Sequence, residues 1–140
     1  MAIPVPPARD LMALWPETLI TVAACGALVA DVVTPRHRKQ VIGWGCFAVL
    51  CVTFLFLLVL PPQGGSLLGG MLLADGYSAF FKALFLISAA LTVLISLRYL
   101  DDEESHHGEY YALLLFATVG MMFMAAGGDL ITIYLGLELM

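Results

Sequence analysis

Residues 41–60 read VIGWGCFAVLCVTFLFLLVL, an apolar run without a charged side chain. A hydrocarbon core about 30 Å thick is crossed by about 20 helical residues at 1.5 Å each, so the run has the length of one crossing. Period-two alternation is absent and lipid offers no hydrogen bonds to bare backbone, so the run predicts a helix. Three further runs share this reading: Pro16 to Val33, Ala79 to Leu100 and Tyr110 to Ala126. Composition agrees. With 61% apolar and 12% charged residues and a mean hydropathy of +0.97, too little polar surface exists to coat a water-soluble globule. The fold class expected is all-α, a polytopic transmembrane helix bundle of four full spans and the first half of a fifth.

Punctuation between the runs supports them. Trp15 suits an interface and Pro16 a first helical turn; Pro35 follows the first run, Pro61-Pro62 the second, and Ser78 or Asp75 can cap the third. The opening MAIPVPPARDLMALWPE lacks the basic start of a secretory signal, so the first run is expected to be retained. The loop TPRHRKQ holds Arg36, Arg38 and Lys39, and Arg98 ends the third run, whereas the second loop has no basic residue. Basic loops face the cytoplasm (or matrix), which places the N-terminus outside. Within the second loop, GGMLLADGY reads as a short strand and turn or as irregular chain.

The fifth segment starts at GGD, with Asp129 as its N-cap, and continues as DLITIYLGLELM to Met140. That is about half a crossing, and a helix ending there would leave up to four carbonyls unpaired in lipid. Residues 1–140 are therefore expected to be the N-terminal transmembrane part of a longer protein. Glu138 lies about 13.5 Å along this helix from Asp129, close to the bilayer midplane. A charge at that depth costs about 2.5–3.5 kcal/mol on insertion scales and usually faces a bundle interior or wet cavity. Burial and a movable cation would act on its protonation in opposite senses, which is the chemistry of a proton relay. The plainer alternative is a protonated glutamate that bonds a neighbouring helix for packing.

Other polar residues read as structural. Glu17, in a first helical turn, favours the positive end of the helix dipole and can reach the interface. Asp31 is expected to pair with Arg36 or Arg38, and Lys82 to snorkel outward along its stem. Lys82 is too different in height from Glu138 for an easy pair, so a cation tuning Glu138 is expected beyond residue 140. Tyr134 stands at i, i+4 from Glu138 and is placed to hydrogen-bond it, although ordinary packing is the simpler reading. Ser88, Thr92 and Ser96 form a small-hydroxyl stripe suited to close helix contact. Cys25, Cys46 and Cys51 read as small core residues, with no spacing for a disulfide frame or zinc site. His37, His106 and His107 fall in loops, unsuited to axial haem ligation, and DDEESHH reads as a solvated acidic loop rather than a metal site. No phosphate loop, nucleophile–base pair or dinucleotide motif appears, and a net charge of -5 gives no sign of nucleic-acid binding.

LWPETLI, ALVADVV, DGYSAFFKALFLISAALTVLISLRYL and GEYYALLLFATVGMMFMAAGGDLITIYLGLELM together carry a family resemblance. They resemble the N-terminal part of the subunit N family, antiporter-like membrane subunits of the proton-pumping NADH:quinone oxidoreductase, respiratory complex I. The sister subunits tend to place an aromatic residue before the fifth-helix glutamate; Leu137 stands there, favouring the N type. The resemblance implies a larger bundle with inverted repeats, in which Glu138 matches a glutamate that pairs with a lysine on a later helix. It implies partners among other membrane subunits and the lipid bilayer, no cofactor bound by this chain, and NADH and quinone used elsewhere in the complex. A bacterial plasma membrane is the expected location. A structural scaffold, or the equivalent subunit of a related hydrogenase or dehydrogenase complex, is the alternative.

Overall fold

The computed structural model describes residues 13–34, 40–60, 64–102 and 108–140. Among them are five α-helices: α1 Trp15–Val33, α2 Gln40–Val59, α3 Gly76–Asp102, α4 Gly108–Ala126 and α5 Leu130–Leu139. The first four are long and apolar enough to cross a membrane, as the apolar runs required, and the chain is an integral membrane protein. Between α2 and α3 lies a small hairpin, β1 Ser66–Leu67 and β2 Leu72–Leu73, paired antiparallel.

Helix starts follow from satisfying the first orphan N–H groups. α3 begins at Gly76 rather than Ala79 because Asp75 caps it. The Ser78 N–H donates to Asp75 Oδ1 at 2.8 Å, and the Ser78 hydroxyl donates to the Asp75 carbonyl at 3.0 Å. α4 begins at Gly108 rather than Tyr110, and its cap comes from another helix: the Gly108 N–H donates to Asp31 Oδ1 at 2.9 Å. This is the described partner of Asp31; the expected partners Arg36 and Arg38 lie outside the described residues. At α5, Asp129 holds the N-cap position in extended backbone, without a side-chain capping bond.

The four long helices run alternately up and down. Asp31 at the end of α1 meets the start of α4, and Trp15 at the start of α1 packs edge-on against Phe56 near the end of α2, ring centroids 5.6 Å apart. α4 is central, packing on each of the other four helices. The core between them contains Ile20, Ala24, Leu50, Leu86, Val93, Leu115 and Val119. Buried Thr53 and Thr118 return their hydroxyls to the Val49 and Leu114 carbonyls, each at 2.8 Å, so neither hydroxyl is stranded in apolar surroundings. At the basic end, α2 approaches its neighbours through Gly43, where a Cβ would lie 2.5 Å from Leu97 Cδ2 and 2.8 Å from Tyr111 Cζ.

The outward faces carry Val22, Val29, Leu55, Leu58, Ile87, Leu91, Ile95 and Leu113, all exposed and all compatible with hydrocarbon. Cys46 is buried as expected, whereas Cys25 stands on the outer face instead of in the core. The hydroxyl stripe of α3 divides. Ser96 is buried and shares a 2.8 Å hydrogen bond with the Tyr110 hydroxyl, while Ser88 is exposed and the Thr92 hydroxyl donates to the Ser88 backbone carbonyl at 2.8 Å. The hairpin folds over the α4–α5 turn: Leu72 bridges Gly127, and the Gly128 N–H donates to the Met71 carbonyl at 2.9 Å.

Candidate functional site

Glu138 sits on the helix with the fewest contacts. α5 touches α4 through two glycines; a Cβ on Gly136 would lie 2.8 Å from the Gly120 carbonyl oxygen, and one on Gly120 would lie 2.6 Å from that of Gly136. Any larger residue would part the backbones, so the pair fixes where α5 lies. Gly120 is about 9 Å of helix from the end of α4 at Ala126, which sets the last turn of α5 within the height of the span, away from either surface. Gly136 is the buried residue of α5; the rest of the helix, Glu138 included, is partly or fully exposed on the flank of the bundle. Tyr134 stands one turn before Glu138 on the same helix. Within these residues Tyr134 is 59% exposed. Among the described residues, no lysine or arginine lies at ion-pair distance from Glu138.

A second acid behaves in the opposite way. Glu17 was expected to reach the interface and Lys82 to snorkel outward, but both turn into the bundle. Lys82 Nζ lies 2.5 Å from Glu17 Oε1, with side-chain exposures of 9% and 1%. α1 and α3 begin at the same end, and the two side chains meet between them, each within two turns of its helix start. The contact is one of charge at close range rather than of hydrogen-bond alignment, because both carboxylate oxygens of Glu17 are buried without an aligned hydrogen-bond partner. Two charges removed from water cost several kcal/mol each, which their mutual attraction recovers only when both partners are present.

The signal for this pair was in the sequence, though only the fold makes it readable. α2 has no charged residue; Glu109 of α4 and Arg98 of α3 belong to the opposite end, while Glu138 is the lone charge on α5. Glu17 and Lys82 are thus the opposite charges set at similar depth on two helices that share a membrane face. An open, mainly apolar groove of about 240 Å³ runs beside Glu17, lined by Leu14, Glu17, Thr18, Thr21, Val22 and Phe123. One turn of α4 serves both neighbours: Gly120 and Met124 contact Gly136 of α5, and Phe123 lines the groove beside Glu17. Among the described residues, no group of histidine, cysteine, aspartate or glutamate is arranged to hold a metal ion.

No family model matches the chain. It is similar to NADH-quinone oxidoreductase subunit N from Desulforamulus reducens, 41% identical over 126 residues that make up 89% of this chain and 26% of the relative. The subunit N of Trichlorobacter lovleyi is 39% identical over 94% of the chain and 27% of its own length. A subunit N 2 of Rhizobium meliloti is 36% identical over 92% and 27%. The chain spans about a quarter of the length of the curated relatives it matches.

Proposed function

Because this chain is related over some nine-tenths of its length to NADH-quinone oxidoreductase subunit N, we propose that it forms part of a proton-translocating membrane subunit, with Glu138 as a proton relay. Quinone reduction by neighbouring subunits would drive proton transfer through a wet path in the complete bundle. NADH and quinone are bound elsewhere in that complex, and this chain binds no cofactor itself. Its partners are the sister membrane subunits and lipid, in a bacterial plasma membrane, with the end bearing Arg36, Arg38, Lys39 and Arg98 toward the cytoplasm and the N-terminus outside.

One observation supports the role of Glu138 above the others. An ionisable carboxyl is held within the height of the span on an otherwise apolar helix, fixed there by the Gly120–Gly136 contact. Intramembrane acids in such positions mark ion and proton paths. A lone acid cannot pump; its charge must be shifted by a partner with two positions, here a cation from outside these residues.

Substituting Glu138→Gln in the complete subunit tests the reading. With the complex assembled in sealed vesicles, proton translocation per quinone reduced should collapse. Translocation kept at the unsubstituted level would leave Glu138 as a packing residue and the chain as a membrane scaffold.

A further inference from the structure

We infer that the hairpin positions Glu138: by clamping the turn that leads into α5, Gly70 and Gly128 fix the roll of that helix and so the direction in which its carboxyl leaves the bundle. The inference rests on Glu138 being the proton relay, and it deepens that reading by naming what holds the relay in place.

The Gly120–Gly136 contact sets the height of α5 by letting two backbones meet, but two glycines offer no interlocking side chains against rotation about the helix axis. Glu138 follows Gly136 by two residues, so it leaves the helix about 200° around from the face that rests on α4. A roll of α5 would therefore sweep the carboxyl sideways along the flank with little change in depth. Asp129 supplies no side-chain capping bond to resist such a roll at the helix start.

The hairpin resists it instead. Leu72 bridges Gly127 and the Gly128 N–H donates to the Met71 carbonyl at 2.9 Å, so two consecutive residues ahead of α5 are held. A Cβ on Gly128 would run into the Gly70 carbonyl oxygen, and one on Gly127 would lie 2.6 Å from Ile133 Cγ1, so the first turn of α5 is seated on the clamped residues. The hairpin is anchored in turn to the four-helix unit: Leu72 is buried, the Ala74 N–H donates to the Gly65 carbonyl at 3.0 Å, and Asp75 then caps α3. Its turn passes through Leu68, Gly69 and Gly70 at φ of 51°, 71° and 101°, left-handed backbone that disfavours a side chain at Leu68 and brings the Gly70 carbonyl against Gly128. Few groups surround Glu138 to set its proton affinity. Among the described residues, α4 has no titratable side chain from Ala112 to its end, and α5 adds Tyr134, with Asp129 ahead of it. The direction of the carboxyl therefore decides how well water and a cation beside α5 reach it.

Two measurements on the complete subunit, assembled in its complex, test the inference. Nitroxide labels at Glu138→Cys and at Ile95→Cys on the outer face of α3, in a subunit otherwise free of cysteine, report by their separation where the end of α5 points. With Glu138 in place, proton translocation per quinone reduced is recorded across pH in sealed vesicles. Gly128→Ala should shift or broaden the label separation and displace the pH profile. Gly69→Val strains the hairpin turn at a point where a Cβ meets open space; it should do both to a smaller extent and serves where Gly128→Ala does not assemble. Gly43→Ala crowds the opposite end of the bundle, and as the control for general loss of packing it should leave both readouts unchanged. An unmoved label separation in the two hairpin variants overturns the inference. So does a moved separation with an unmoved pH profile, which would leave the hairpin as a brace only, or an equal effect from Gly43→Ala. Failure of the relay reading shows separately, as translocation kept in Glu138→Gln.

Discussion

Glu17 and Glu138 are both glutamates on apolar helices that pack against α4, yet their settings are opposite. Glu17 belongs to the four-helix unit, where neighbours cover it and Lys82 is at hand. Glu138 belongs to α5, which packs chiefly on α4 and carries its acid among exposed side chains. The difference lies in packing rather than in the residue type. A helix ringed by partners fixes the protonation partner of its acid within the bundle, while a helix on the flank leaves its acid for whatever packs there next.

The largest effect that can test this contrast comes from stranding the inner acid. Lys82→Met should destabilise the bundle by about 3–5 kcal/mol, because it leaves Glu17 buried and uncompensated. The double variant Glu17→Leu/Lys82→Met should fall close to the unsubstituted protein. Thermal unfolding of the complete subunit in detergent compares them, and a single variant as mild as the double would mean that Glu17 is not held by Lys82.

The flank position of α5 is open to a smaller perturbation. Gly136→Val forces a side chain against the Gly120 carbonyl and should cost about 1–3 kcal/mol through overpacking. Hydrogen exchange should quicken along α5 with α1–α4 unchanged; quickening in both regions would dissolve the distinction between them. Within the inner unit, Asp31→Ala removes the cap of α4 and should cost about 0.5–2 kcal/mol, seen as faster exchange of the first amides from Gly108 onward. The least change is expected from Tyr134→Phe. Loss of an exposed hydroxyl should leave the thermal midpoint unchanged, and a clear fall would show α5 to be as tightly packed as the inner helices.

Much of the bundle was legible because lipid imposes so simple a demand. A run such as Val41 to Leu60 has one outcome in hydrocarbon, and Trp15-Pro16, Asp75 and Asp129 mark helix starts by chemistry local to each. The interior chemistry was harder to read. Glu17 in a first turn has an adequate local explanation in the helix dipole, and Lys82 one in snorkelling, so neither asks for the other across the intervening chain. Asp31 likewise has a local explanation in the basic loop that follows it, and that explanation does not announce the Gly108 N–H it accepts from, on a helix far along the sequence. In the stripe of Ser88, Thr92 and Ser96, periodicity alone did not distinguish the buried end from the exposed one.

The sequence by itself determined that this chain crosses a membrane as helices, which runs form them, and that α5 carries an acid on an otherwise apolar helix. Those features depend on hydropathy, length and neighbours within a few residues. Only the tertiary structure decided that Glu17 meets Lys82, that Asp31 caps α4, and that two glycines set α5 on the flank. The reason is that a charge in a low-dielectric interior is governed by what lies a few ångströms away, and those neighbours come from segments that only packing brings together.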